Sequence, residues 1–429
     1  MKRILTTIAL LATAVSWTAA QTLSLQECLE KGLENNYSLR ISRNKEQISH
    51  NNATLANAGF LPALDINAGY NADLSSSDGK LRATGETQKI RNAFDQGLNA
   101  GIALDWTIFD GFNISTNYKQ LKELERMGET NTRIAIEDFI ADIAAEYYNF
   151  IQQRLRLANY YYAVLLSKER LRIVEERYNI GNFSRLDYQQ AKVDFNADSA
   201  QYIKQQETVL SSRIALNEMM AIDQVYTPIE TSVTKIVTDT TLRFNTLWDN
   251  LLADNANLLL ADQNSRMVQL DYKKVLSRNY PYVKFKAGYD YTFNKYDTNS
   301  YTRRSNWGGS AGITIGFNLW DGNRRREKRN AKLEIANAEL QRDQLELALK
   351  AELGNLWQAY RNNIQLLNLE KQNVITAREN HEIAKERYML GDISGIEMRE
   401  AQKSLLDAEQ RVKVLGHMLV ILLATNFQV

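Results

Sequence analysis

The nonapeptide Glu176-Arg177-Tyr178-Asn179-Ile180-Gly181-Asn182-Phe183-Ser184 returns 210 residues later (386 − 176) as Glu386-Arg387-Tyr388-Met389-Leu390-Gly391-Asp392-Ile393-Ser394. Glu, Arg, Tyr, Gly and Ser recur at the same places, and Ile/Leu and Asn/Asp are close equivalents. In both copies a long charged helical pattern runs up to the tyrosine, and another starts after the serine. Glycine supplies the left-handed backbone that ends a helix. Ser184 to Asp187 and Ser394 to Glu397 then read as capping boxes that open the next helix. One tight helix–turn–helix is therefore made twice, and the chain is an internal duplication.

The segments leading into the turns limit the architecture further. From Phe112 to Tyr178 there is no proline and one glycine, Gly128. A helix over 112–178 would be on the order of 100 Å long at 1.5 Å per residue. A second long helix is expected over 323–388. It carries an apolar stripe at Leu345, Leu349, Leu353, Leu356, Tyr360, Ile364 and Leu367, continuing through Val374, Ala377, His381, Ala384 and Tyr388. Steps of three and four make a narrow seam for helix–helix packing. Shorter helices are expected over 184–220 and 396–423.

Each half also carries a segment of period two. Leu64, Ile66, Ala68, Tyr70, Ala72 and Leu74 alternate with polar residues and glycine, and so do Leu98, Ala100, Ile102, Leu104, Trp106 and Ile108. These read as the strands of a hairpin over 62–109, with Ser75 to Asp95 as its loop. The second half repeats the plan over 281–320. Val283, Phe285, Ala287, Tyr289, Tyr291 and Phe293 form one strand, and Trp307, Ala311, Ile313, Ile315, Phe317 and Leu319 the next. Pro281 matches Pro62 at a spacing of 219 (281 − 62), and Asp321-Gly322 matches Asp110-Gly111 at 211 (321 − 110). The difference falls in the hairpin loop, where length changes are tolerated. A single helical region is expected over 25–57, ended by Pro62. The first repeat then covers 21–228 and the second 229–429, across a linker that contains Pro228.

Lys2 and Arg3, a largely apolar run from Ile4 to Val15, and Thr18-Ala19-Ala20 before Gln21 have the pattern of a signal peptide over 1–20. Cys28 is the only cysteine, so no internal disulfide forms. Glu27 precedes it, where a lipoprotein signal has a small residue, and Cys28 reads as a small apolar residue on a helix face. Lys+Arg 52 against Asp+Glu 51 gives a net charge of +1, which offers nothing to nucleic acid. No run of about 18 apolar residues follows the signal, so no transmembrane helix is expected. The strands are long enough to cross an outer membrane when tilted. Four cannot close a barrel, whose smallest form has eight, and an open edge in lipid leaves backbone groups unpaired. Strands that meet lipid would have to be pooled between copies of the chain.

The paired hairpins, the paired long helices and the doubled Arg-Tyr-x-x-Gly-x-x-Ser turn resemble the TolC family of outer-membrane efflux ducts, over essentially all of 21–427. The resemblance implies an α+β membrane protein that assembles as a homotrimer. In it a 12-stranded β-barrel stands in the outer membrane of a Gram-negative bacterium, and a 12-helix α-barrel stands in the periplasm. It implies passive conduction of small molecules, with a periplasmic adaptor that links the duct to an inner-membrane pump of the RND or ABC type. An outer-membrane channel for type I protein secretion uses the same architecture and is the alternative. A periplasmic coiled-coil scaffold that never inserts leaves the apolar strand faces unexplained.

The resemblance further implies that adaptor docking falls on the turns: Arg177, Gly181, Phe183 and Ser184, and Arg387, Gly391, Ile393 and Ser394. The bland reading, a helix cap with glycine just past the end, holds equally. Ile180, Phe183, Leu390 and Ile393 would be apolar residues exposed on hairpin tips. Glu397 and Glu400 share one helix face and match lumen-facing carboxylates of a periplasmic gate, although Glu397 is also explained as a capping-box acid. Asp187 and Tyr388 match positions that tie neighbouring helices in the closed gate, and Tyr388 also ends the packing stripe. Ile393 stands where some members carry a closing arginine. Arg324-Arg325-Arg326-Glu327-Lys328-Arg329 faces lipid phosphates or water, and Trp106, Phe109, Trp307 and Trp320 suit interfacial belts. His50, His381 and His417 lack ligand spacing. No metal, cofactor or catalytic constellation is read from the chain, and an enzyme is the reading it supports least.

Overall fold

The computed structural model describes residues 21–231, 242–298 and 301–426. The expected signal peptide and the middle of the linker between the repeats lie outside the described residues, as does the side chain of His417. In chain order the elements are β1 (Gln21–Leu23), α1 (Leu25–Asn35), α2 (Tyr37–Asn52), α3 (Leu55–Ala58), β2 (Ala63–Lys80), β3 (Thr87–Asp110), α4 (Asn113–Asn179) and α5 (Arg185–Met219). They continue as β4 (Ile229–Thr231), α6 (Phe244–Asp254), α7 (Ala256–Ser277), β5 (Tyr282–Lys295), β6 (Arg303–Gly316), α8 (Arg324–Leu390) and α9 (Gly395–Asn426). Both α4 and α8 are 67 residues long.

The region expected as one helix over 25–57 is three. Asn36 leaves the helical region at ψ 126°, and its side-chain oxygen accepts from the amides of Ser38 (2.9 Å) and Leu39 (3.3 Å). An Asx cap thus breaks α1 from α2 and starts the second helix. Thr54 caps α3 through the Asn57 amide, and Gly59 ends it at φ +97°.

Two compact units result, and neither coincides with one repeat. Among the described residues, one takes 21–44, 131–231, 242–258 and 344–426, and the other 45–130, 259–298 and 301–343. Each unit draws on both halves of the chain because α4 and α8 contribute a segment to each.

The second unit holds an antiparallel sheet in the order β2-β3-β5-β6. Its register puts Ile66 beside Ile102 and Tyr289, Ala68 beside Ala100, Tyr291 and Trp307, and Trp106 beside Phe285 and Ile313. One face is therefore apolar across all four strands. The other carries Asn67, Gly101, Asp290 and Gly308 in one row, and Asn71, Gly97, Asn294 and Arg304 in another. Lys286 pairs with Asp105 across this polar face at 2.8 Å. At Gly101 a Cβ would meet the Asp290 carboxylate, which would have to turn aside.

Two strand boundaries depart from the periodicity. Most of the segment expected as a loop over 75–95 is strand. After a bulge at Ser75/Ser77, β2 and β3 stay paired to Lys80↔Thr87, leaving a turn over 81–86. Pairing rests on backbone hydrogen bonds and persists here although both faces are polar, which erases the alternation a sequence can show. Conversely β6 stops at Gly316, which pairs with Tyr282, so the alternating Phe317, Leu319 and Trp320 are not strand. Pro281 comes next on the opposing chain and has no amide to extend the ladder.

The first unit packs β1 and β4, a short parallel pair, with helix segments. Its main core joins Leu23, Cys28, Leu39, Ile143, Tyr147, Phe150, Leu216 and Met220. Cys28 is buried, and its burial pushes the thiol up to about 11. Tyr147 Oη donates to the Leu23 carbonyl at 3.1 Å, tying the N-terminal strand to α4. Along α8 burial recurs every seven residues, at Leu353, Tyr360, Leu367, His381 and Tyr388, with Val374 half-buried. This is the seam the stripe describes. Along α5 the buried sevenfold positions are Ala191, Asp198, Gln205 and Ser212, small or polar in every case.

Tyr147→Phe leaves the buried Leu23 carbonyl without this donor. We expect a loss of about 1–2 kcal/mol, read as a lower denaturant midpoint at unchanged slope.

Candidate functional site: the paired turns

Both turns lie in the first unit. Gly181 stands at φ +80° and Gly391 at φ +90°. A Cβ at either would meet no atom within 4 Å, so conformation, and not crowding, selects glycine there. In each turn the chain doubles back by the same backbone bonds: Asn182 N to the Arg177 carbonyl, and Asp392 N to the Arg387 carbonyl. Ser184 caps α5 and Asp187 answers it, accepting from the Ser184 amide (3.1 Å) and hydroxyl (2.7 Å). Glu397 answers Ser394 likewise, at 2.7 Å and 2.9 Å. The Ser394 amide and then its hydroxyl hold the Glu397 carboxyl below the usual carboxylate range.

The turns are alike in backbone and different in side-chain use. Arg177 reaches across to the end of α8. It donates to the carbonyls of Met389 (2.6 Å) and Tyr388 (3.4 Å) and lies over the Phe183 ring at 5.4 Å. A cation on the free carbonyls of a helix C-terminus is favourable. Its repeat mate Arg387 is exposed and makes no such bond among the described residues. Tyr178 stacks face to face on Tyr188 at 5.4 Å, whereas its repeat mate Tyr388 is 2% exposed, against Phe183. Tyr388 Oη has no hydrogen-bond partner among the described residues, and burial pushes it above the ordinary phenol range. Asp187 and Tyr388 line one small cavity of about 160 Å³ but do not bond to each other; Asp187 Oδ2 takes both bonds from Ser184.

Two of the residues expected to be exposed are not. Phe183 and Ile393 are half-buried and pack against Val174, Ala191, Ala384, Tyr388, Met398 and Ala401. The exposed apolar tip consists instead of Ile180 (71%), Leu390 (77%), Leu186 (77%) and Ile396 (75%). These are two pairs related by the 210-residue repeat, and Leu186 and Ile396 stand in the first turns of α5 and α9. Glu397 and Glu400 are both exposed on α9.

A set of charges just inside the turns escapes sequence reading. Arg399 of α9 makes a bidentate pair with Asp198 of α5, at 2.5 and 2.6 Å. Arg170 of α4 donates to Asp194 of α5 at 2.6 Å. The Asp198 bond raises the Arg399 guanidinium, while burial lowers that of Arg170. Asp198 belongs to the sevenfold polar positions of α5, and that spacing was the available signal. Its partner, 201 residues away, has none.

A duplicated chain with a two-faced sheet and long helices joined by glycine turns defines the outer-membrane channel class of fold. A membrane protein from Pseudomonas aeruginosa has this fold at a TM-score of 0.76 and 16% identity, over 94% of this chain and 92% of that one. The Campylobacter jejuni CmeC outer membrane channel matches at 0.74 and 16% identity, over 96% and 89%. At such identities the likeness establishes the fold alone. Residues 28–221 and 247–415 match the family model for outer membrane efflux proteins, and the chain belongs to that family. The outer membrane protein TolC of Vibrio cholerae is 26% identical over 164 residues, a match that spans 38% of this chain and 36% of that relative.

Two outcomes test this geometry. Arg399→Met strands the mostly buried Asp198 carboxylate and should cost roughly 2–3 kcal/mol, seen as a lower melting temperature. For Glu397, the depressed folded-state pKa means its contribution is present above the unfolded value and lost as pH falls through the folded one. The stability gap between wild type and Glu397→Gln should therefore be full near neutrality and close as pH drops below about 4.

Proposed function

We propose that the chain is one third of a trimeric duct in the outer membrane of a Gram-negative bacterium, through which small molecules leave the periplasm passively. The observation that carries this reading is the sheet. Its apolar face is continuous over four strands, and β2 and β6 each have a single neighbour among the described residues. Three copies would supply twelve strands and hide all edges in one barrel, with apolar residues toward lipid and the Asn, Asp, Lys and Gly face toward water. Among the described residues no helix is long and apolar enough to cross a membrane. The charged surfaces of α4, α5, α8 and α9 suit water, where three copies would continue the tube as twelve helices. Exposed leucines spaced by seven on α8, Leu333, Leu340 and Leu347, support burial against a further helix.

The turns would stand at the periplasmic end. The apolar pairs Ile180/Leu390 and Leu186/Ile396 offer a surface for a periplasmic adaptor, with Arg177 and Arg387 beside them. Through that adaptor an inner-membrane pump of the RND or ABC type would drive export. Glu397 and Glu400, repeated three times, would form an acidic ring at the gate and favour cations.

Extraction should require detergent, and the protein should run as a heat-sensitive trimer. In planar bilayers it should open channels whose cation preference drops in Glu397→Ala/Glu400→Ala. A freely dissolved monomer that opens no channel would refute the duct. Channels with unchanged selectivity would remove only the two glutamates from the gate.

A further inference from the structure

The foot of the sheet's polar face carries a second site. An open cavity of about 570 Å³ is lined there by Lys274, Arg278, Tyr280, Tyr282 and Lys284, together with Asp110 and Asp271. That volume is in the range of small-molecule sites. Tyr282 and Lys284 stand on β5, which has β3 and β6 on either side and is not an edge that another copy would pair. The register sets both on the polar face, Lys284 in the row of Thr107 and Thr314.

The two aspartates here are held by neutral donors and keep their charge, but neither makes an ion pair with a lining lysine. Asp110 accepts from the Ile114 amide at 2.9 Å and from the Asn113 side chain at 3.0 Å, which caps α4. Asp271 accepts from Gln120 at 2.6 Å. Arg278 is matched by Glu327 at 2.5 Å. Neither Lys274 nor Lys284 has an ion-pair partner among the described residues. The Lys284 ammonium lies 5.4 Å from the Tyr282 ring centre, a contact that leaves its charge available. Arg324 adds a further cation, donating to the carbonyl of the lining residue Asn318 at 2.9 Å. The Tyr280 ring is fixed edge-on against Phe112 at 5.6 Å.

Two unmatched ammonium groups beside two aromatic rings fit one ligand class. We propose that this cavity binds small organic anions, with Lys274 and Lys284 holding a carboxylate and Tyr280 and Tyr282 covering the apolar part. Flexible ammonium groups suit a compact anion. The inference rests on the duct reading for its meaning: if the polar face is the inner wall, organic anions are a class of solute that the duct passes. Three copies would place six such lysines at one level, which concentrates anions there.

The probe is 1-naphthoate, with 1-naphthalenemethanol as its neutral analogue, in equilibrium dialysis against the trimer in an uncharged detergent. Saturable naphthoate binding should weaken about tenfold in Lys274→Gln/Lys284→Gln, with binding of the alcohol unchanged and the heat-sensitive oligomer intact. Lys284→Gln alone should show a smaller loss in the same direction and serves if the double variant does not assemble. Equal binding by wild type and variants, or none by wild type, overturns the proposal. So does full displacement of naphthoate by phosphatidylglycerol added to the micelles, which would assign the lysines to a lipid headgroup. Channel formation in bilayers is scored separately: its absence would defeat the duct, while the dialysis still decides whether the site takes anions.

Discussion

Backbone hydrogen bonding at the edges of the sheet is the constraint from which the rest follows. β2 and β6 each present a row of amides and carbonyls with no neighbouring strand among the described residues, and the face they border is apolar along its length. Water can satisfy such an edge but is repelled by such a face. Lipid accepts the face and leaves the edge unpaired, at several kcal/mol per group. Closure with further strands would meet both demands, and that is the requirement on which the proposed oligomeric duct rests.

The helices answer a different demand. α8 buries only a narrow stripe along its 67 residues, so its packing has to recur turn after turn. In α8 it does so with Leu353, Tyr360, Leu367, His381 and Tyr388, spaced by sevens. α5 places Ala191, Asp198, Gln205 and Ser212 at the equivalent spacing, and its buried polar groups reach partners on other helices. Asp198 finds Arg399, Gln205 finds Gln153 and Ser212 finds Glu146. Apolar layers supply most of the burial, while polar layers fix which helix lies beside which. A seam of the second kind comes apart at lower cost than a dry one, because water can take over its hydrogen bonds.

The duplication is strict in backbone and loose in side chains. Gly181 and Gly391 share a left-handed conformation, and both capping boxes are complete. Yet Arg177 ties the first turn to the end of α8 while Arg387 is exposed, and Tyr178 is stacked near the surface while Tyr388 is buried. The two repeats therefore build equivalent bends with inequivalent surroundings, and Tyr388 Oη is buried in the second turn without a partner among the described residues.

Local chemistry was legible in the residues themselves. Period-two alternation marked β5, most of β2 and the C-terminal part of β3, and the absence of breakers marked α4 and α8. The Gly and Ser-x-x-Asp/Glu signals marked both turns, because each depends on the backbone preferences of a few neighbouring residues. The folded chain alone decided what depends on partners distant in sequence. β2 and β3 run on past Ser75 because their backbones remain opposed, and β6 ends at Gly316 because Pro281 offers it nothing. Phe183 and Ile393 turn inward onto Tyr388 and leave Leu186 and Ile396 outside. Arg399 meets Asp198, and the lysines of α7 and β5 converge on one cavity. Periodicity says which way a side chain points from its own element; only the packed chain says what stands opposite.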